Sequence, residues 1–400
     1  MKISSVRCHL LSCPLAEPLR LPFPGGERVI AKRDAMVIRV TSANGLTGYA
    51  PGPAEESARN TILAVIAPFL EGRELADPDA LRVHFQEGPG RDAELMRLYC
   101  AVEIGLFDLL GKARRTPASE FLGGRVRDRI RIYASAGYHS APEHFAEEAY
   151  SLSRAGFRAY KMRAGMGPER DGQAAELIRR SAGPGFDLMV DAEAWWKIGA
   201  RLYPRTSVDR LMAELGAMGV TWVDEPLRPD DHQAYRSLRE RDLAPIAAGQ
   251  DEPDDFRLLD LLFNDGVDYL QMNIVTQAGY WAARRILPEV AHAGLRFAFH
   301  GCSNPLEVAA AVQLGVCWPE MVAEWLEYPC YSFGGKSRAM TFQLAEEMLT
   351  QPLEIVDGSL MAPRGVGLGV QVNEKIFERY PWIPGRASYF QMADAGEHRI

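Results

Sequence analysis

The pieces that decide the fold are LMVD (Leu188–Asp191), TWVD (Thr221–Asp224) and PIAA (Pro245–Ala248). Each is apolar, too short for a helix, and set off by turn residues or by a segment of helical spacing such as Ser207–Met218. Working outward, similar pieces stand at Ile130–Ala134 and Ala159–Met162 on one side. Tyr269–Met272, Phe297–His300 and Val322–Leu326 follow on the other, and the starts of successive pieces lie 24 to 33 residues apart. Helical segments fill the gaps, among them Pro142–Ala155, Pro168–Ser181 and Pro305–Cys317. Eight strands alternating with helices predict an α/β fold of the (β/α)8 barrel type. A doubly wound open sheet would show the same alternation.

The flanks differ in texture. Residues 1–126 hold a strand at Ala35–Val40, turn chemistry at Ser42–Gly48, and helices at Ala54–Leu70 and Ala93–Arg114. That mixture reads as an α+β capping domain. The barrel occupies 127–352, and a glycine- and proline-rich segment, 353–400, is expected to return to the capping domain and complete it. Its PRGVGLGV stretch (Pro363–Val370) is not followed by a helix, so it is no dinucleotide fingerprint.

The 400 residues are 47% apolar and 24% charged, as in an ordinary globular protein, and carry a net charge of −8. That acidity argues against nucleic acid as a partner. No apolar run approaches the roughly 18 residues of a membrane span. Met1–Leu11 reads as a strand rather than a signal peptide, so a cytoplasmic protein is expected. Cys8, Cys13, Cys100, Cys302, Cys317 and Cys330 form no C-x-x-C pair and are expected to be unpaired.

Barrel active sites are built at the C-terminal ends of the strands. Here those ends read Lys161-Met-Arg163, Asp191, Asp224-Glu225, Gln250-Asp251-Glu252, Asn273, His300, and Glu324 with Glu327. Asp191, Asp224 and Gln250 offer two carboxylates and an amide oxygen, a donor set for a hard cation such as Mg²⁺. Lys161 and Arg163 alternate by two and share a face. A fixed guanidinium beside Lys161 should lower its pKa and free an amine to act as base. His300 stands nearly opposite, where it can act as a second base or as an acid.

These residues resemble the enolase superfamily, in particular its mandelate racemase/muconate lactonizing enzyme subgroup. The motifs are YKMR (Tyr160–Arg163), MVDAEAWW (Met189–Trp196), WVDEPL (Trp222–Leu227), PIAAGQ (Pro245–Gln250), DYLQMN (Asp268–Asn273), FAFH (Phe297–His300) and WLEYP (Trp325–Pro329). The resemblance implies one Mg²⁺ holding a substrate carboxylate while a base removes the adjacent proton and an enediolate is stabilised. Carried onto this chain, Lys161 is a base with Arg163 as electrostatic partner, and Asp191 and Asp224 are metal ligands. His300 is the opposite base or acid, and Glu327, or else Glu324, contacts the substrate carboxylate. It also implies a homo-oligomer.

Three positions depart from the pattern. Asp224 stands where a Glu is usual, with Glu225 as an alternate ligand. Gln250 replaces a third carboxylate, with Glu252 as an alternate. Asn273 replaces the Asp that pairs with the histidine, and is expected to accept a hydrogen bond from the His300 Nδ1–H. The weaker base expected at His300 shifts proton abstraction to Lys161.

Dehydration of a polyhydroxy (sugar) acid is therefore the first expectation, with a racemase or epimerase of a 2-hydroxy acid as the alternative. A barrel that only binds a small acid is a further alternative, motivated by Gln250 and Asn273. Substrate choice is assigned to the first domain. There Leu21–Val29, with Gly25, Gly26 and Arg28, could form a lid, while Trp195, Trp196 and Tyr138 could form walls.

Overall fold

The computed structural model describes residues 1–400 apart from 24–25, 138–139, 198–201, 278, 302, 331–341, 393–395 and 399–400. Gly25, Tyr138 and Cys302 lie outside the described residues. Strands β1 (Ile3–Phe23) and β2 (Gly26–Ser42) form a long antiparallel hairpin, with β3 (Thr47–Gly52) paired to β2. The helix Ala93–Arg114 lies against this sheet. Asp92 caps its start by accepting the Leu95 N–H at 3.0 Å, and Arg115 ends it in the left-handed region at φ 58°. Gly48 lets helix and sheet meet, since a Cβ there would fall 2.3 Å from the Gly105 carbonyl oxygen. The proposed lid stretch is not a free loop. Leu21 pairs with Arg28 and Pro22 with Glu27, so the described part of Leu21–Val29 is the end of the hairpin.

The barrel strands are β4 (Arg129–Gly137), β5 (Ala159–Arg163), β6 (Asp187–Asp191), β7 (Trp222–Asp224), β8 (Ile246–Ala248), β9 (Tyr269–Met272), β10 (Arg296–Phe299) and β11 (Ala323–Tyr328). Each pairs in parallel with the next, and β11 pairs back onto β4 from Trp325↔Arg131 to Tyr328↔Ala134. That closing ladder rules out the open sheet. The tail touches both units. β12 (Ile355–Val356) and β13 (Ser359–Met361) form a hairpin on β4, whereas β14 (Ser388–Met392) pairs with β2 and carries β15 (Gly396–His398).

The barrel interior is layered. Tyr133, Ala159, Met189, Trp222, Ala247, Tyr269, Ala298 and Trp325, one from each strand, form a buried cluster in which three alanines make room for four aromatic rings and a methionine. Towards the strand starts, Arg131 bridges Asp187 at 2.6 Å and Glu324 at 2.9 Å, and Arg296 also pairs with Glu324. The interior is therefore plugged. Among the described residues the cysteines are free, and no helix is long and apolar enough to cross a membrane.

Candidate active site

Side chains of a strand alternate between its faces, so a step of two residues beyond the apolar layer again points inward. That step reaches Ser135, Lys161, Asp191, Asp224, Gln271, His300 and Glu327 on seven of the eight strands. A polar ring thus lies directly above an aromatic layer, at the C-terminal mouth. Ser135, Arg163, His300, Gly301 and Glu327 line a cavity of about 500 Å³, whose opposite wall is Arg28, Lys32, Arg33, Asp34 and Glu55 of the capping sheet and its edge.

Lys161 is wholly buried. Its Nζ donates to Asp224 Oδ2 at 2.9 Å and lies 3.4 Å from Glu327 Oε1 and 4.0 Å from Asp191 Oδ2, with the Tyr133 ring centroid at 5.4 Å. Burial works against its charge, but Asp224, Glu327, Tyr133 and Asp191 outweigh burial and hold the ammonium above its ordinary range. The expected lowering of its pKa by Arg163 is thereby reversed. Arg163 instead turns to Asp191, Nε to Oδ2 at 3.6 Å, and to the Ser135 hydroxyl at 3.3 Å.

His300 faces the cavity with Nε2 3.5 Å from Glu327 Oε2. Burial lowers its pKa, and Lys161 and Arg163 add to that against the opposing pull of Glu327 and Asp191. The imidazole is thus neutral at pH 7. Burial would raise the Glu327 carboxyl, yet Lys161, His300 and hydrogen bonds from Ser135 and the Gly301 N–H hold it below the usual carboxylate range.

Asn273 does not do what its position suggested. Its Oδ1 accepts the N–H groups of Val275 at 2.7 Å and Thr276 at 3.0 Å. Its Nδ2 donates to Glu307 Oε1 at 3.1 Å and to the Gly301 carbonyl. With both oxygen lone pairs engaged by the backbone, it has no acceptor left for His300. Glu307, which the sequence reading missed, is the buried acid here. It sits in the first turn of the helix Pro305–Gly315, three residues after the cap Asn304, a capping-box spacing that was its one local signal.

Burial pushes the Glu307 carboxyl up to about 7 from 4.5, against the hydrogen bonds of Ser303 and Asn273. A carboxyl raised on folding favours the folded state at pH below about 4.5, and that contribution is lost as pH rises towards about 7. Glu307→Gln should therefore gain stability relative to the parent from pH 4.5 to 8. Urea unfolding at the two ends of that range gives the difference, and a pH-independent difference would deny the buried acid this role.

Five other expected site residues are elsewhere. Glu225 adopts φ +48° and turns outward, accepting the Tyr235 hydroxyl at 2.8 Å and the Gly249 N–H at 2.9 Å. Glu252 contacts His232 Nε2 at 2.6 Å and Arg257 at 3.5 Å. Trp195 is core, donating to Asp171 at 3.2 Å and stacked on Tyr203, while Trp196 donates to the Glu225 carbonyl. Glu324 lies on the barrel floor with Arg131, Arg296 and Tyr269, because an irregularity in the β10–β11 register at Ala323–Trp325 turns it inward below the aromatic layer. Arg28 does line the cavity.

Similarity to known proteins gives the family and the fold. The family described as enolase C-terminal domain-like matches residues 144–376. The chain belongs to the enolase superfamily. D-galactarolactone cycloisomerase of Agrobacterium fabrum is 25% identical over 383 residues, covering 93% of this chain and 97% of that one. D-gluconate dehydratase of Thermoproteus tenax is 24% identical over 370 residues, 86% of this chain and 69% of the other. The solved structure of a member of the enolase superfamily from Polaromonas sp. JS666 superposes with a TM-score of 0.82 at 26% identity, over 96% of this chain and 99% of that one. This enolase superfamily protein is accordingly an enzyme of the mandelate racemase/muconate lactonizing type, with the superfamily's carbon-acid proton abstraction as its chemistry.

Members of the superfamily generally use Mg²⁺. The residues present fit such an ion in one respect and depart in another. Asp224 Oδ1, Gln250 Oε1 and Gln271 Oε1 are buried acceptors without a hydrogen-bond partner, contributed by β7, the end of β8 and β9. Unpaired buried oxygens on neighbouring strands are what a hard cation would satisfy. Among the described residues, however, no group of three His, Cys, Asp or Glu is arranged to hold a metal, and the donors added by β8 and β9 are amides.

Proposed function

We propose that this enzyme dehydrates a polyhydroxy acid, taking the proton α to the carboxylate and expelling the β-hydroxyl as water. The carrying observation is the cavity in which His300, its pKa lowered by burial, faces Glu327 of the barrel mouth and Arg28 of the cap. The dehydratase and cycloisomerase names of its relatives support the same class.

The imidazole of His300 takes the α-proton, and the anion of Glu327 stabilises the imidazolium. The Lys161 ammonium and the Arg163 guanidinium balance the negative charge that develops on the substrate carboxylate. A divalent cation such as Mg²⁺, when held by Asp191, Asp224 and Gln250, supplies further Lewis-acid stabilisation of that charge. The imidazolium then returns its proton to the departing β-hydroxyl, the C–O bond breaks, and the enol left behind tautomerises to a 2-keto-3-deoxy acid. Arg28 is placed to meet a distal hydroxyl or carboxylate. Lys161 becomes a charge clamp rather than the base, because it does not line the cavity. Racemisation needs a second, comparable base, and Lys161 and Arg163 are both held as cations.

Incubation with a library of sugar acids in deuterated water tests the proposal. A 2-keto-3-deoxy product is expected. Inversion at C2 with no loss of water would make the enzyme a racemase or epimerase instead.

A further inference from the structure

The charges around the orphaned oxygens point to how this centre is filled. Asp191 and Asp224 bring two negative charges. Lys161, 2.9 Å from Asp224, and Arg163, 3.6 Å from Asp191, bring two positive ones. The remaining oxygens, of Gln250 and Gln271, are amides and bring none. Glu327 adds one negative charge, but it is shared with Lys161 at 3.4 Å. The same site with a carboxylate at position 250 would be one charge more negative.

A divalent ion approaching this centre alone therefore meets two carboxylates whose charge Lys161 and Arg163 already balance, and beyond them only neutral amide oxygens. A carboxylate entering from the cavity changes that balance. It supplies the missing anionic oxygens and gives Arg163, which lines the cavity, a second partner, so that Asp191 is freed to face the ion.

We infer that the ion and the substrate carboxylate bind this enzyme as a pair, each weakly alone, with Gln250 as the residue that imposes the dependence. The inference rests on the proposed metal-assisted reading of the site. Because coupling between two ligands is reciprocal, the ion must tighten the acid by the same factor as the acid tightens the ion.

The test uses Mn²⁺ as the ion, read by the electron paramagnetic resonance of the free aquo species, and 2-hydroxyisobutyrate as the acid, which has no α-hydrogen to lose. In the parent enzyme, Mn²⁺ affinity should rise about tenfold or more when the acid is added, a coupling of ordinary size for two ligands. Gln250→Glu should bind Mn²⁺ about tenfold more tightly than the parent without acid, and the acid should then add little.

Equal acid-free affinity in the parent and Gln250→Glu would overturn the inference and leave the proposed reaction standing. Mn²⁺ that binds neither protein, with or without the acid, would instead remove the metal-assisted reaction itself. Should Gln250→Glu fail to fold by circular dichroism, the parent alone decides: an acid that leaves its Mn²⁺ affinity unchanged refutes the pairing.

Discussion

His300→Asn should lower turnover by about a thousandfold, within the 10²–10⁴ expected when a positioned acid–base group is lost. It should also abolish exchange of the substrate α-hydrogen with deuterated solvent. Asparagine keeps a polar group at the cavity wall but cannot accept a proton at pH 7. The fold should survive, because His300 is only partly buried and its long contact to Glu327, at 3.5 Å, contributes little. In the parent enzyme the acid limb of kcat/KM should lie below 6.5, since burial with Lys161 and Arg163 depresses the imidazole. Were Lys161 the base instead, His300→Asn would still wash the α-hydrogen into solvent while failing to release water. Mass spectrometry of recovered substrate distinguishes the two.

The largest stability effect should come from Asp224→Ala. It strips Lys161 of its 2.9 Å partner where neither side chain is exposed, and breaking a buried ion pair on one side costs about 3–5 kcal/mol. Glu327 and Asp191 remain within 4.0 Å, which places the loss towards the lower end of that range. The double variant Asp224→Ala/Lys161→Met should recover most of it, because no uncompensated ammonium is left in the ring. Urea unfolding of the two single variants and the double variant closes the cycle. A double variant no more stable than Asp224→Ala would mean that the pair is not what the charge count makes it. Neither should retain turnover.

Much of this is legible in the amino-acid sequence alone. Apolar pieces at regular intervals, ending one after another in Lys, Asp, Asp, Gln, Asn, His and Glu, announce a barrel with its chemistry at the mouth. Strand periodicity alone then separates Asp224 from Glu225, since consecutive residues face opposite ways. What the chain does not display is depth. Glu324 and Glu327 look interchangeable in WLEYP and its preceding residue, yet an irregular pairing with β10 sends one to the floor and keeps the other in the ring. The orientation of the Asn273 amide is set by Glu307, 34 residues away, whose carboxylate requires a donor. Nor could spacing reveal that Lys161 is enclosed by three acids, because that depends on strands far apart in sequence meeting across the barrel.

The aromatic layer beneath the ring has a consequence for traffic. With Trp222, Trp325, Tyr133 and Tyr269 filling the bore and salt-bridged side chains sealing its foot, no passage among the described residues runs out through the far end of the barrel. Exchange of substrate for product is thereby confined to the mouth, where the hairpin strand that carries Arg28 lines the cavity.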